Sequence, residues 1–263
     1  TDLTAAMQDQ LIQTAREQDV SSVHILFPNR EEAQEWQDHG FLLREDCQFH
    51  WKNHNYHDFE DFIATFTSKR RKETRRERRQ AQQTGTIEWL SGEDLDSEDW
   101  EQLYLFYKHH ACLKGGYPYL TRHCFSLWAE HCKDLIQVCR ATHLQQTIAM
   151  ALFFQGGDTL YGRYWGANDH YPCLHFELCY YQPIELCIHN GWQHFEAGAQ
   201  GEHKLGRGLV PTRTFSAHWI EHPAFREAIA HAIEREHIGV QHYIHEAMQY
   251  TPHHRTAHDQ YIE

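Results

Sequence analysis

The chain has 263 residues, of which 41% are hydrophobic and 13% aromatic, enough to build a packed core and to exclude a disordered or fibrous protein. A formal net charge of −13 excludes general affinity for nucleic acid. No apolar run reaches the roughly 20 residues that cross a bilayer, and no charged start followed by an apolar stretch marks a secretory leader, so the expected location is the cytoplasm.

Helical spacing of Leu3, Met7, Leu11 and Ala15 predicts a first helix over 3–18. Ser22–Phe27 reads as a strand, Glu31–Trp36 as a helix stopped at Gly40, and Leu42-Leu43 with Gln48–Trp51 as one or two further strands. Asp58 caps a helix whose Phe59, Phe62, Ile63 and Phe66 share one face. A basic helix then runs to Gly85. Ile87–Leu90 is a predicted strand, Ser97 caps a helix to about Leu113, and Gly115–Leu120 is a turn with aromatic walls. Thr121 opens a helix to about His131. Three strands follow, Leu135–Ala141, Thr147–Phe154 and Leu160–Trp165, the last two joined through the turn residues Gln155–Asp158. A helix over about 174–189 contains Pro183, which removes a backbone hydrogen bond and predicts a kink. Trp192–Glu196 and Thr214–Trp219 complete the strands, and Ala224–Tyr250 is a long helix.

The eight cysteines form no CxxC pair and match no zinc-finger spacing, so they read as reduced thiols. The 24 histidines are scattered without an HExxH motif, so no metal site is expected; His253-His254 falls in a polar tail where weak metal binding is adventitious. Charge is uneven. Residues 69–79 hold eight cations against two anions, net +6, and leave −19 on the rest. Arg71, Arg75, Arg76, Arg78 and Arg79 of this helix are candidates for polyanion contact; a solvated, salt-bridged helix and a membrane-surface contact are the alternatives.

Strand, two helices, three antiparallel strands, helix and strand is the element order of the GNAT acyltransferase fold. The expected class is therefore α/β (α+β), with a mixed, mainly antiparallel central sheet flanked by helices. Four segments carry a closer likeness: Ser68–Arg79, Leu160–Gly166, His175-Phe176-Glu177 with Cys179-Tyr180-Tyr181, and Phe195–Lys204 with Arg207-Gly208. Together they resemble the FemAB-like group of bacterial N-acyltransferases associated with peptidoglycan biosynthesis or recognition, over about Val23–Glu236. The resemblance implies two GNAT-like halves. Residues 1–55 would be the end of the first, 56–85 a basic linker, 86–250 a complete second and 251–263 a polar tail. The chain opens at Thr1 rather than Met, which leaves room for upstream sequence. It also implies a direct transfer of an acyl or aminoacyl group to an amine, with acyl-CoA or aminoacyl-tRNA as co-substrate rather than a resident cofactor, and tRNA as a candidate partner. The connection Gly166–Cys173 lacks the paired glycines with which acetyl-CoA enzymes hold the CoA pyrophosphate, and Pro172 removes a further donor, which counts against acetyl-CoA; aminoacyl-tRNA is the donor that the FemAB resemblance implies in its place.

Among the candidate site residues, Glu177 is an expected base, sharing a helix face with Tyr181 and within reach of Arg163. Otherwise it is a buried Glu–Arg pair that fixes the helix. His203 is an alternative base, with Glu196 beside it on the preceding strand. Lys204 and Arg207 would neutralise anionic charge, while amides near Gly198–Gly201 would stabilise an oxyanion. Gln200, Gly201, Glu202, His175, Trp165, Tyr119 and, more weakly, Ser216 and His218 would bind substrate. Tyr117 is a further candidate pocket wall, and Cys179 reads as a buried thiol rather than a nucleophile. A binding module for a cell-wall precursor or other anion, and an RNA-associated protein acting through 69–79, remain open beside the enzyme.

Overall fold

The computed structural model describes residues 3–253, so His254 and the remainder of the polar tail lie outside the described residues. The described residues divide into two compact units, a smaller one of 3–48 with 211–250 and a larger one of 49–210 with 251–253.

In the smaller unit, helix α1 (Leu3–Glu17) is followed by β1 (Ser22–Leu26), α2 (Arg30–Asp38) and the start of β2 (Leu42–Lys52). The two short strands expected around 42–51 are thus one continuous strand. Asn29 caps α2 in a reciprocal capping box with Glu32. The last strand, β8 (Val210–Ile220), pairs antiparallel with β1 from Ser22↔Ile220 to Leu26↔Ser216. Ala15, Phe41, Ala217 and Trp219 form its small core. Helix α9 (Pro223–Met248) is held by Arg44, which donates to both carboxylate oxygens of Glu236 at 2.7 Å.

The larger unit contains α3 (Phe59–Ala64), α4 (Ser68–Gln82), β3 (Thr86–Ser91), α5 (Ser97–Leu113), α6 (Arg122–His131), β4 (Ile136–His143), β5 (Gln146–Gly156) and β6 (Thr159–Ala167). It continues through a helix over residues 174–190 to β7 (His194–Glu196). Its strands run in the order β2-β7-β6-β5-β4-β3, antiparallel except for the parallel β6–β7 pair. This is the mixed, mainly antiparallel, GNAT-like arrangement expected from the element order. Asp58 caps α3 as expected, but the cap of α5 is Asp96 rather than Ser97, because its carboxylate accepts the Glu98 and Asp99 amides.

Leu95 and Trp100, Leu103 and Tyr107 of α5 pack with Phe125 of α6 onto Ile136, Val138, Met150 and Leu152 of β4 and β5. Gly166 sets how closely α5 approaches the sheet: a Cβ there would lie 2.4 Å from the Phe106 carbonyl oxygen, which is helix backbone and cannot swing away. Gly166→Ala is expected to destabilise the larger unit by about 2 kcal/mol through this overpacking, measured by urea or thermal unfolding; a loss within error would mean that α5 can shift outward freely.

Candidate active site

The cleft is generated by strand geometry. Strands β6 and β7 pair at only three positions, Thr159↔His194, Leu160↔Phe195 and Tyr161↔Glu196. Beyond them β6 continues along β5, while Ala197 turns to the β2 strand, donating to the Phe49 carbonyl and leaving Phe49 to donate to Gly198. The two strands therefore splay, and the β6 edge from Gly162 onward has no strand beside it. The register between β5 and β6 shifts at the same place, Leu152 facing Tyr164 and Phe153 facing Gly162, so Arg163 is the extra residue of a β-bulge. A bulge leaves its residue out of the ladder and re-aims its side chain.

The resulting cleft encloses about 400 Å³. Tyr107, His110, Ala111 and Lys114 of α5 and Tyr117 and Tyr119 of the following turn form one wall, with Gly162–Trp165 of β6, His175, Cys179, Tyr180 and Ala197 opposite. Tyr119 and Tyr164 share a 2.7 Å hydroxyl contact, and the Tyr107 hydroxyl accepts the Leu120 amide at 3.0 Å, which fixes the far end of the aromatic turn.

Which side chains reach this cleft depends on the helix over 174–190. It starts as a single α-turn, α7 (Leu174–Phe176), widens into a π-turn over Glu177–Tyr181 and ends as α8 (Gln182–Asn190), with Pro183 in the first turn of α8. The expected kink at Pro183 is thus met by a π-turn, in which the Gln182 amide donates to Glu177 five residues back. The extra residue changes the phase. His175 stacks edge-on against Tyr180 at 5.4 Å between ring centroids, and Gln182 donates to Glu177 at 2.9 Å, both pairs separated by five positions.

Glu177 and Tyr181, expected to share a catalytic face, are both corrected by this geometry. Glu177 is fully buried and accepts from Arg78, Gln82 and Gln182; it does not line the cleft. Arg163 does not approach it; Arg78 occupies that place and also binds Glu185. Tyr181 is buried and donates to Glu77, which accepts two hydrogen bonds from Arg207 at 2.9 and 3.1 Å. Arg207 is 4% exposed, lies 3.3 Å from the Phe176 ring centroid and donates to the His203 carbonyl, so it is not free to hold an anionic substrate. Lys204 is 4% exposed and donates to the carbonyls of Ala197 and Gly198, pinning the glycine loop from behind instead of contacting a ligand. Burial lowers its ammonium to about 8.

His203 faces outward, and its Nε2 lies 2.9 Å from the Tyr180 hydroxyl. Gly201, at φ +102°, allows this packing, since a Cβ there would meet the imidazole at 2.4 Å. Burial, followed by the charges of Arg207, Lys204 and Lys114, lowers His203, and burial with His203 and its neighbours lowers His175 to about 3. Burial raises the Tyr180 phenol, so it stays protonated. Burial also raises the Cys179 thiol, which removes it as a nucleophile.

The other candidates divide plainly. Arg163, Trp165, His175, Tyr117 and Tyr119 line the cleft; Gln200 and Glu202 are exposed on the glycine loop and do not. Glu196 is half-buried, raised by burial, and 3.9 Å from His50, which burial lowers to about 4, so the contact is not an ion pair at neutral pH. Ser216 and His218 belong to the smaller unit, where His218 joins Ser216 at 2.9 Å and His24 at 2.7 Å. On α4, Arg78 is enclosed and tied to the buried Glu177, which removes it as a polyanion contact, whereas Arg75 pairs with Glu60 on the surface and stays accessible. Arg71 donates to the Ala64 carbonyl; Arg76 and Arg79 are exposed, and Arg76 lines a shallow surface groove with Lys69, Lys72 and Glu73. No cluster of metal ligands occurs among the described residues, all eight cysteines are free, and no helix among them is long and apolar enough to cross a membrane.

Tyr180, His110 and Lys114 were not among the expected site residues. Tyr180 lay in the quoted Cys179–Tyr181 segment, but α-helical spacing selects the next residue. His110 and Lys114 are one turn apart on α5 and gave no signal beyond that.

Glu177→Gln leaves the Arg78 guanidinium, 13% exposed at its side chain, with Glu185 alone. The expected cost is about 3 kcal/mol of unfolding free energy, measured by denaturant titration; an unchanged midpoint would mean that the pair does not hold the helix.

Three solved structures share the fold at low identity. They are a C-terminal domain assigned to a lysylphosphatidylglycerol synthetase from Agrobacterium fabrum (10% identity, 88% of this chain and 77% of that one, TM-score 0.62), L-PGS from Bacillus licheniformis (12%, 86% and 76%, 0.60) and FemX (11%, 86% and 78%, 0.58). No curated protein matches the chain by sequence. The FemAB-like family model, described as peptidoglycan biosynthesis/recognition, matches residues 1–255, and the chain belongs to that family.

Proposed function

We propose that the protein is an N-acyltransferase that carries an acyl or aminoacyl group from an activated ester to an amine in the cleft between β6 and β7. The observation that carries this reading is the Tyr180–His203 pair: a protonated phenol on the cleft wall, hydrogen-bonded to an outward-facing imidazole that is neutral at neutral pH. The amine nitrogen bonds to the acyl carbon and the bond from that carbon to the ester oxygen breaks. The proton released by the amine passes through the Tyr180 hydroxyl to His203 Nε2, and the leaving oxygen takes a proton back by the same route. The unpaired β6 edge offers backbone groups to the developing oxyanion.

An aminoacyl ester fits the donor better than acyl-CoA, because residues 168–173 contain no glycine and Pro172 lacks an amide proton. Aminoacyl-tRNA is the proposed donor and a peptidoglycan precursor the proposed acceptor.

Tyr180→Phe and His203→Gln should each fold normally and lower transfer by about 10²-fold or more, measured with a panel of aminoacyl-tRNA and acyl-CoA donors. Since His203 accepts only when neutral and lies below the ordinary imidazole value of 6.5, the wild-type rate should be level through neutrality and fall at lower pH. Wild-type rates in both variants would refute the pair. Saturable donor binding without turnover in the wild type would instead establish a binding module.

A further inference from the structure

The chain carries 37 acidic residues, yet no carboxylate lines the cleft. Two cations do: Lys114, at the C-terminal end of α5, and Arg163, at the β6 bulge. Neither has a counter-ion. Among the described residues the Lys114 ammonium makes no hydrogen bond or ion pair, and the Arg163 side chain reaches only its neighbour Tyr164, at 3.5 Å to the hydroxyl and 5.4 Å from the ring centroid. This sets them apart from the other arginines of the larger unit near this site. Arg70, Arg78, Arg140 and Arg207 are all held by carboxylates. The Lys114 charge is felt inward as well, helping to lower His110, His175 and His203.

Resting on the assignment of this cleft as the reaction site, we infer that it takes a reactant bearing an oxyanion, a phosphate or a carboxylate, clamped between Lys114 and Arg163, and that it disfavours amines that carry no such group. A guanidinium forks onto two oxygens of such a group, while an ammonium approaches as a point charge. With no carboxylate in the lining, neither cation's attraction for such a group is offset. A second positive charge in the same cleft would meet no carboxylate. The amine acceptor or the ester donor that enters here therefore carries its negative charge close to the reacting atoms.

Calorimetric titration of the whole chain with inorganic pyrophosphate, glutarate and cadaverine tests this without turnover. The wild type should bind one or both anions and not cadaverine, with affinity falling as salt rises; which anion binds separates a phosphate from a carboxylate source. Lys114→Gln and Arg163→Gln should each weaken that anion about tenfold, whereas Lys108→Gln, exposed on α5 outside the cleft, should not. The double variant Lys114→Glu with Arg163→Glu should reverse the preference toward cadaverine. All three residues substituted are exposed in the fold, so loss by unfolding is checked by the variants' unfolding midpoints. Equal binding of cadaverine by the wild type, no anion binding at all, or unchanged anion affinity in both Gln variants would overturn the inference. Absence of transfer with every donor, with anion binding intact, would overturn the enzymatic reading instead.

Discussion

The functional geometry of the larger unit depends on two buried carboxylates that face each other's elements. Glu77 on α4 holds Arg207 and Tyr181, and Glu177 on the opposite helix holds Arg78 of α4. Breaking either tie strands a charge in a place with little water, which costs far more than an exposed ion pair returns. The two ties fix the axial position and rotation of the helix over 174–190, and its π-turn then decides what each face presents. With Glu177 and Tyr181 turned toward α4, His175 and Tyr180 face the cleft. A regular α-helix could not satisfy both sides with these residues at these spacings.

The second constraint lies in the sheet. A parallel pair that lasts three residues and then opens creates a concave site without any insertion or separate lid, and the bulge at the opening supplies Arg163. The glycine loop after β7 is shaped by its surroundings as much as by its own flexibility. Lys204 holds two of its carbonyls, and Gly201 gives way to the His203 ring. Residues with catalytic chemistry are thus divided into a visible pair at the cleft, Tyr180 with His203, and a concealed set that positions them, Lys204, Arg207, Glu77 and Glu177.

Most elements were legible in the sequence because apolar periodicity, turn residues and caps agree locally: β4 to β6, α5, α6 and α9 lie within a few residues of their expected bounds. Leu160–Gly166, His175–Tyr181 and Phe195–Lys204, singled out for their likeness to the family, fall on β6, the helix with its π-turn, and the glycine loop with the end of β7. The roles within them were not legible, for physical reasons. Spacing by four assumes an α-helix and pairs Glu177 with Tyr181; the π-turn's spacing by five pairs His175 with Tyr180 and Glu177 with Gln182 instead. Charge type does not reveal burial, so Lys204 and Arg207 read as anion-binding groups although both are enclosed and already hydrogen-bonded. In the same way the net charge of residues 69–79 conceals that Arg70 and Arg78 are paired with carboxylates within the fold. Conversely, an alanine, a histidine and a lysine on α5 become cleft residues only once β6 lies opposite them.

The central claim is that the donor occupies the β6–β7 cleft, and the most direct measurement is native mass spectrometry after incubation with a mixed pool of aminoacyl-tRNA and acyl-CoA. Wild-type protein is compared with Ala111→Trp, which fills the cleft from α5 without touching the buried ion pairs. The account predicts a donor-bound species with the wild type and none with the filled cleft. The same donor bound equally to both would contradict it and locate the chemistry elsewhere on the chain.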